Sequence, residues 1–255
     1  MKPGLNYLIT LENPHQHVVK VVISGKFVEN SNSVEFFMPS WSPGSYLMRE
    51  YGRLVRGVSA VDETGEHFFI FQKDKGTWLL EKGREGLSES NHFELSYEVY
   101  CHEATVRTSH VDVTHAFLHG PSILMGVKGQ LENNIQLKVK FPEFWSKIST
   151  GLKDISSSRS EFSYEAKDYD QLIDTPLEIG NHDTDGFIVS GKEHELAFYG
   201  QHLPHNNDMK ADIKKIVSYI SEFMGDIPYD RYLFITHLIP GLYGGLEHQN
   251  STVLQ

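Results

Sequence analysis

The sequence predicts a mainly β protein: an N-terminal antiparallel β-sandwich over residues 1–170, followed over residues 171–255 by the start of an α/β domain. Two observations predict this order. Many short β-branched or alternating runs separated by polar turns fill the chain from Leu5 to Tyr164, which is typical of a sandwich. A change of pattern near Asp168 then leads into a helix followed by a buried strand, an order typical of a mixed α/β unit.

The strands of the first region are predicted from apolar runs and from period-two alternation. Residues 92–100 and 135–141 alternate apolar and polar side chains, as expected for strands with one buried face. The predicted strands of this region are 18–23, 34–39, 67–71, 77–80, 92–100 and 135–141.

The second region contains predicted strands at 187–189, 195–199 and 231–236 and one predicted helix at 209–224. The apolar residues of the helix recur at helical spacing, which predicts one buried stripe. These residues are Met209, Ile213, Ile216, Val217, Ile220, Phe223 and Met224. Asp208 is placed to cap the first turn, and Gly225 is placed to end the helix in a left-handed conformation.

Composition excludes several classes of protein. The net charge of -11 argues against a nucleic-acid partner, because such sites need clustered Lys and Arg. Cys101 is the only cysteine, so neither an intrachain disulfide nor a cysteine-rich zinc site is possible. No leader peptide and no membrane-length apolar segment is evident. We therefore expect a cytoplasmic protein without a membrane partner; the oligomeric state stays open.

Two motif-rich segments are predicted to be structural. In residues 38–51, Pro43 and Gly44 predict a tight turn on which Trp41 and Tyr46 can pack, and Arg49 is available to a carboxylate. The structural interpretation of this segment is a rigid corner of the sandwich. Residues 170–180 are predicted to form a rigid junction between domains, with no chemistry assigned.

The third motif-rich segment, residues 241–252, is the candidate binding site. The tandem glycines Gly244 and Gly245 would let a ligand backbone approach closely. An extended peptide could then pair with the strand edge, where the Glu247 carboxylate could bind a cation such as an ammonium group. The alternative is an ordinary glycine-rich loop with a solvated glutamate.

Four segments in order resemble the glycyl aminopeptidase family, zinc peptidases of the gluzincin type that often carry a PDZ domain. They are WSPGSYLMREY (41–51), YEVYCHEATVRTSH (97–110), LIDTPLEIG (172–180) and GLYGGLEHQNST (241–252). The resemblance implies that this chain is the N-terminal portion, with the sandwich preceding a thermolysin-like catalytic domain as in the wider aminopeptidase N group.

The last segment is similar to that group's exopeptidase motif, Gly-x-Met-Glu-Asn. Carried over, Glu247 would bind the free α-amine of a peptide substrate, and Gly244 and Gly245 would line the peptide's path. His248 stands where the wider group has Asn, so no role is carried onto it. The same holds for His119-Gly120, where family members often have Asn-Gly. The resemblance also implies a small first residue, such as Gly or Ala, and leaves open whether a PDZ domain follows.

The chain lacks the H-E-x-x-H motif that holds zinc in a gluzincin. Neither His102-Glu103 nor His194-Glu195 is followed by a second histidine at the required spacing. We therefore expect no catalytic residue and no metal ligand in this chain, with zinc bound in the complete enzyme by residues beyond Gln255.

The histidines form two loose clusters in the sequence, which are read as surface or strand residues rather than ligands. They are His102, His110, His115 and His119, and then His194, His202 and His205. A non-catalytic β-sandwich that binds a protein or a carbohydrate is the alternative function. Exposure of Trp41, Tyr46 and Trp78 would favour it, whereas their burial would make them core.

Overall fold

The computed structural model describes residues 4–158, 160–200 and 207–255, without the side chains of residues 207 and 208. In chain order its strands are β1 (Leu5–Thr10), β2 (Val18–Lys26), β3 (Ser33–Phe37), β4 (Val55–Val61), β5 (Phe69–Asp74), β6 (Thr77–Glu81), β7 (His92–Tyr100), β8 (His110–Val111), β9 (His115–Leu118), β10 (Gly126–Val127), β11 (Ile135–Lys140), β12 (Lys147–Thr150), β13 (Lys153–Asp154), β14 (Phe162–Ala166), β15 (Leu177–Gly180), β16 (Asp183–Val189), β17 (Lys192–Gly200), β18 (Arg231–Leu238), β19 (Gly245–Glu247) and β20 (Ser251–Leu254). The α-helices are α1 (Gly120–Ile123), α2 (Tyr169–Ile173) and α3 (Asn207–Met224). Two short 3-10 helices span Pro14–Gln16 and Tyr51–Leu54.

A seven-stranded sheet forms one layer of the N-terminal part, in the order β13-β14-β11-β1-β2-β7-β4. All of its pairs are antiparallel except β1 with β11. Burial alternates along β7 and β11 as their sequences predict. The side chains that point inward therefore form one face of the core.

A four-stranded sheet, β10-β3-β6-β5, lies against that face. Phe36 of β3 meets Phe93 of β7 at a ring distance of 5.2 Å, in an edge-to-face arrangement. Trp78 of β6 is only 5% exposed and belongs to the same core. One continuous hydrophobic core thus joins both sheets, which confirms the predicted sandwich.

A third sheet, β12-β15-β9-β8, extends this core toward the C-terminal part. Its strand β15 follows α2, whose N-cap Asp168 accepts a hydrogen bond from the amide of Gln171 at 2.7 Å. The segment 170–180 is therefore structured. The domain boundary at residue 170 stays a prediction.

A five-stranded mixed sheet, β16-β17-β18-β20-β19, forms the C-terminal part. Its centre is parallel, and the outer strands β16 and β19 run antiparallel to their neighbours. Leu233 and Ile235 of β18 pack toward the N-terminal part with Val106 and Phe117. This sheet and α3 are the predicted α/β unit.

The prediction of a buried stripe along α3 is wrong. The helix ends as predicted at Met224, and Gly225 follows with φ of +82°. Ile213 and Val217 pack against a small core that includes Phe187, and Met209 is half-buried, but the other four residues of the stripe are exposed. The reason is that, within the described residues, the helix touches the sheet mainly along the edge strand β16.

Exposure is greatest at the C-terminal end of α3. The exposed apolar residues are Ile216, Tyr219, Ile220, Phe223 and Met224. The predicted Asp208 cap involves a side chain outside the described part of the chain. No helix among the described residues combines the length and apolar character needed to cross a membrane.

Candidate functional site

Strand β19 has one hydrogen-bonding edge that faces away from the sheet. Gly244 and Gln255 exchange two backbone hydrogen bonds, and His248 N–H donates to Ser251 O at 2.8 Å. Along an antiparallel strand, residues whose backbone groups bond the partner strand alternate with residues whose backbone groups point away from it. The backbone groups of Gly245 and Glu247 therefore point outward. This is the kind of edge to which an extended peptide can add.

The Glu247 carboxylate lies over this edge. Glu247 is exposed, and its carboxylate forms no hydrogen bond or ion pair with any described residue. Its Oε1 atom is 4.0 Å from the position that a Cβ on Gly245 would take. The carboxylate and the surface of Gly245 therefore share one face of β19, and the negative charge is available to a cation.

The tandem glycines are not required by the backbone of β19. Neither Gly244 nor Gly245 has a positive φ. A Cβ on Gly245 would come no closer than 3.6 Å to a neighbouring atom, Leu254 Cδ2, and one on Gly244 would lie 3.4 Å from Val106 Cγ2. Both are ordinary contact distances, so the absent side chains leave an open surface rather than relieve a clash.

The loop of residues 38–51 packs directly against β19. Gly44 has φ of +78°, as predicted for the Pro43-Gly44 turn, and a Cβ there would come within 2.7 Å of Leu246. Trp41 and Tyr46 are 46% and 98% exposed, and the Trp41 indole donates to Ser45 O at 2.7 Å. The predicted corner therefore borders β19 and carries two exposed aromatic groups.

Arg107 reaches the strand edge from the sandwich. Its Nη2 donates to the Gly245 carbonyl at 3.1 Å, across 138 residues of sequence. Since that carbonyl points outward, one acceptor of the edge already has a partner. No feature of the sequence indicated this contact.

His248 turns inward from the end of β19. Its Nδ1 donates to Asp174 Oδ1 at 3.0 Å, and Asp174 Oδ2 accepts from the amide of Gln249 at 2.9 Å. Its Nε2 is buried without a partner among the described residues. The segment 170–180 thus anchors the β19 turn, and Asp174 sets the tautomer of His248.

A cavity of about 570 Å³ lies beside this pair. Its lining includes Trp41, Ser42, His119, Asp174 and His248. Burial, together with the charges of His248, Arg107 and Arg49, lowers the pKa of His119 to about 3. His119 is therefore a neutral imidazole, and neither ring nitrogen has a partner among the described residues.

A second cluster lies at the junction of three strands. Glu178 of β15 is fully buried and accepts from His115 Nδ1 of β9 at 2.7 Å and from His237 Nε2 of β18 at 2.9 Å. Burial alone would raise the Glu178 pKa, but the two histidines lower it to about 2. A carboxylate that bridges two imidazoles therefore connects the third sheet to the α/β sheet.

This cluster has a donor set that zinc accepts, because the three ligand atoms lie within 4.8 Å of one another. Both imidazole atoms, however, donate their protons to the carboxylate. A metal ion would have to displace both hydrogen bonds from a fully buried position. The set also lacks the helical i, i+4 pair of a gluzincin site, so it does not fit the catalytic zinc of that class.

His119 separates from the rest of the first predicted histidine cluster. His102 stacks on His110 at a ring distance of 5.3 Å, and His110 lies 5.4 Å from His115 in a tilted arrangement, whereas His119 lies 6.3 Å from His248. His194 bonds the Tyr229 hydroxyl at 3.0 Å through Nε2. His202 and His205 lie outside the described residues.

The chain matches a known family of peptidases. The profile described as the Peptidase M61 N-terminal domain matches residues 6–181. The chain belongs to this peptidase family. Among proteins of curated function, none matches it.

Solved structures match nearly the whole chain. An aminopeptidase N family protein from Idiomarina loihiensis is 29% identical, with a TM-score of 0.90 over 98% of this chain and 42% of that protein. A mutant of the M1 zinc metallopeptidase from Deinococcus radiodurans is 8% identical, with a TM-score of 0.61 over 98% of this chain and 58% of that one. The same mutant bound to a Tyr-Ser-Ala substrate has a TM-score of 0.58 at 8% identity, over 98% and 59%.

These matches confirm the resemblance to the glycyl aminopeptidase family and the predicted fold class. The Deinococcus structures share the fold with this chain. The chain spans less than half of the Idiomarina protein and under two thirds of the others. The matching family is that of a peptidase N-terminal domain.

The sequence pattern missed the Glu178 cluster, although one signal was present. Glu178 stands between Leu177 and Ile179 in a segment whose four residues are all buried. A charged residue in such a strand must be paired, so it predicts buried partners without identifying them.

Proposed function

We propose that this chain is the N-terminal, substrate-recognition part of a zinc-dependent aminopeptidase that removes small N-terminal residues, such as Gly or Ala, from peptides. The free carboxylate of Glu247 at an outward strand edge is the observation that carries this proposal. In it, Glu247 binds the α-ammonium of the substrate, and Gly244 and Gly245 line the path of the peptide.

The chemistry of the edge supports these roles. A charge-assisted hydrogen bond between a carboxylate and an ammonium contributes roughly twice as much as a neutral one. It also marks where the peptide begins, so only one residue extends past the reacting bond. The flat surface of the two glycines lets main-chain hydrogen bonds hold the rest of the peptide in register.

Zinc belongs to the complete enzyme in this proposal, held by residues beyond Gln255. When bound, zinc supplies Lewis-acid activation of a water molecule. The residues of this chain bind and orient the peptide, and we expect the 255-residue chain alone to be inactive and the parent protein to be cytoplasmic.

The first test is to sequence the parent gene beyond Gln255. An in-frame H-E-x-x-H motif supports the proposal, and a stop codon there would refute it.

The second test is Glu247→Gln in the complete enzyme. We expect kcat/KM on Gly-Ala to fall by about 10- to 150-fold, because a charged hydrogen bond is lost from the transition state. Glu193→Gln is the control, since Glu193 is an exposed carboxylate on β17 of the same sheet. An unchanged kcat/KM for Glu247→Gln would contradict the role of Glu247.

A non-catalytic binding module is the second candidate. Trp78 is core, but Trp41 and Tyr46 are exposed beside Leu47 and Met48, which are 62% and 68% exposed. This apolar loop favours a contact with a protein or carbohydrate. If the parent gene stops at Gln255, Trp41→Ala should abolish retention of the chain on an immobilised glycan or protein array; unchanged retention would exclude the loop.

A further inference from the structure

Two arginines beside the strand edge differ from the others. Among the six arginines in the described part of the chain, Arg53, Arg56, Arg84 and Arg231 each form an ion pair with a glutamate. Arg49 and Arg107 form none there. The Arg49 Nε is buried with no hydrogen-bond partner. An unpaired guanidinium that is partly removed from water is costly, and its planar donors match a carboxylate.

The Arg107 guanidinium contacts β19, and the Arg49 charge acts on the same neighbouring groups as the Arg107 charge. Arg107 donates its Nη2 to Gly245 O, and its own backbone carbonyl accepts from the Tyr51 hydroxyl at 2.7 Å. The charges of both Arg49 and Arg107 act on the Tyr51 phenol and on His119. Apart from the Arg107 bond to Gly245 O, neither guanidinium has a hydrogen-bond partner among the described residues, and the Nε of Arg49 is buried.

Arg107 and Glu247 bring opposite charges to Gly245. Glu247 Oε1 is 4.0 Å from a Cβ on Gly245, and Arg107 Nη2 is 3.1 Å from Gly245 O. Both distances are measured to one residue, so the two charged atoms are within about 10 Å of each other. The ends of an extended dipeptide are about 7 Å apart. A dipeptide therefore fits between the two charges when its terminal hydrogen bonds lie at an angle to the chain.

We propose that Arg49 and Arg107 bind a peptide carboxylate, supplied by the C-terminus of a dipeptide whose ammonium group lies at Glu247. This inference rests on the proposed function and adds a substrate class to it: short peptides with a free C-terminus. The peptide runs from Glu247 toward Gly244, antiparallel to β19, and its two charges meet groups of opposite sign.

The experiment compares Gly-Ala with its amide, Gly-Ala-NH2, as substrates of the complete enzyme. We expect kcat/KM to be about 10- to 100-fold higher for Gly-Ala, since a charged hydrogen bond to the carboxylate is lost in the amide. Arg49→Gln should remove this preference by lowering the rate for Gly-Ala alone. Arg53→Gln is the matched control, because Arg53 is exposed and pairs with Glu103.

Arg107→Gln tests the second cation, and Arg107→Lys keeps its charge if the loss of the Gly245 contact disturbs β19. The Kd of Gly-Ala for the zinc-free protein, measured by calorimetry, gives a readout that does not depend on catalysis. Equal rates for Gly-Ala and its amide in the wild-type enzyme would overturn the proposal. A preference that survives in both Arg49→Gln and Arg107→Gln would do the same.

Two further arms separate the possible sources of failure. Gly-Asp-NH2 offers a carboxylate on its side chain. If its kcat/KM returns to the value for Gly-Ala, the arginines accept a carboxylate from either source. If its kcat/KM stays at the value for Gly-Ala-NH2, the arginines require the C-terminus. Glu247→Gln should weaken Gly-Ala and its amide by the same factor. If it affects neither, the ammonium role fails while the arginine preference is still measured.

Discussion

Replacing Glu178 by glutamine tests how the two parts of the structure are held together. The substitution keeps the shape of the side chain and removes its charge. His115 Nδ1 and His237 Nε2 both donate to this carboxylate, from strands that belong to different sheets. A glutamine presents one oxygen and one NH₂ group, so one of the two imidazoles must either face another donor or change its tautomer inside a site that is closed to water.

The expected cost follows from the burial of all three side chains. Removing one partner from a buried charged network typically costs 3–5 kcal/mol, because the groups that remain are desolvated and unpaired. Domains of this kind have total stabilities of about 5–15 kcal/mol. We therefore expect Glu178→Gln to lose a fifth or more of the free energy of unfolding.

The same cluster predicts a dependence on pH. The Glu178 pKa is about 2 in the folded protein against 4.5 for an unperturbed glutamate. A carboxyl whose pKa is depressed on folding stabilises the protein above its unfolded pKa and loses that contribution as pH falls through the folded value. The shift corresponds to about 3 kcal/mol, so the difference between wild type and Glu178→Gln should shrink between pH 4.5 and pH 2.

Urea unfolding of the 255-residue chain, followed by tryptophan fluorescence at pH 7 and in steps down to pH 2.5, measures both effects. Glu98→Gln is the control: Glu98 pairs with Arg56 at 3.0 Å on the surface, and such pairs contribute about 1 kcal/mol or less. If Glu178→Gln is no more destabilising at pH 7 than Glu98→Gln, the reasoning about this cluster is refuted.

Three other predictions use different parts of the structure. Gly245→Ala should change the unfolding free energy of the chain by less than about 1 kcal/mol, because the new Cβ makes only ordinary contacts. The same substitution should lower kcat/KM of the complete enzyme at least about tenfold, because the methyl group covers the peptide's path. Normal activity would exclude that path. Asp168→Ala should cost about 1 kcal/mol in urea unfolding through loss of the cap on Gln171 N, and an equal loss in Asp170→Ala would rule out capping as the cause. Elemental analysis of the dialysed chain should find no stoichiometric zinc. If the wild-type chain holds zinc and the Glu178→Gln chain does not, the buried cluster is a metal site.

Much of the fold could be predicted from local sequence alone. Strand β7 begins and ends at the predicted residues 92 and 100, because alternation of buried and exposed side chains is a property of neighbours in the chain. Strand β2 runs past the predicted stop at Ser24-Gly25 to Lys26, since pairing with β7 continues to His92. Local pattern thus identified the strand, and the partner strand decided its length.

The helix α3 shows the limit of periodicity. The apolar spacing from Met209 to Met224 predicted the helix and its end at Gly225, which depend on residues within one or two turns. Burial of the stripe depends on what lies opposite. Phe223 is 77% exposed because no described residue covers it. Periodicity shows that a face is apolar without showing what packs on it.

The sequence by itself determined the fold class, the order of the elements, the turn at Gly44 and the glycine-rich edge that contains Glu247. These features follow from interactions between residues that are close along the chain. Only the tertiary structure decided which distant side chains meet: His115 with Glu178 across 63 residues, Glu178 with His237 across 59, and Arg107 with Gly245 across 138. Such contacts depend on strand pairing and on the packing of one sheet against another, and spacing in the sequence carries no record of either.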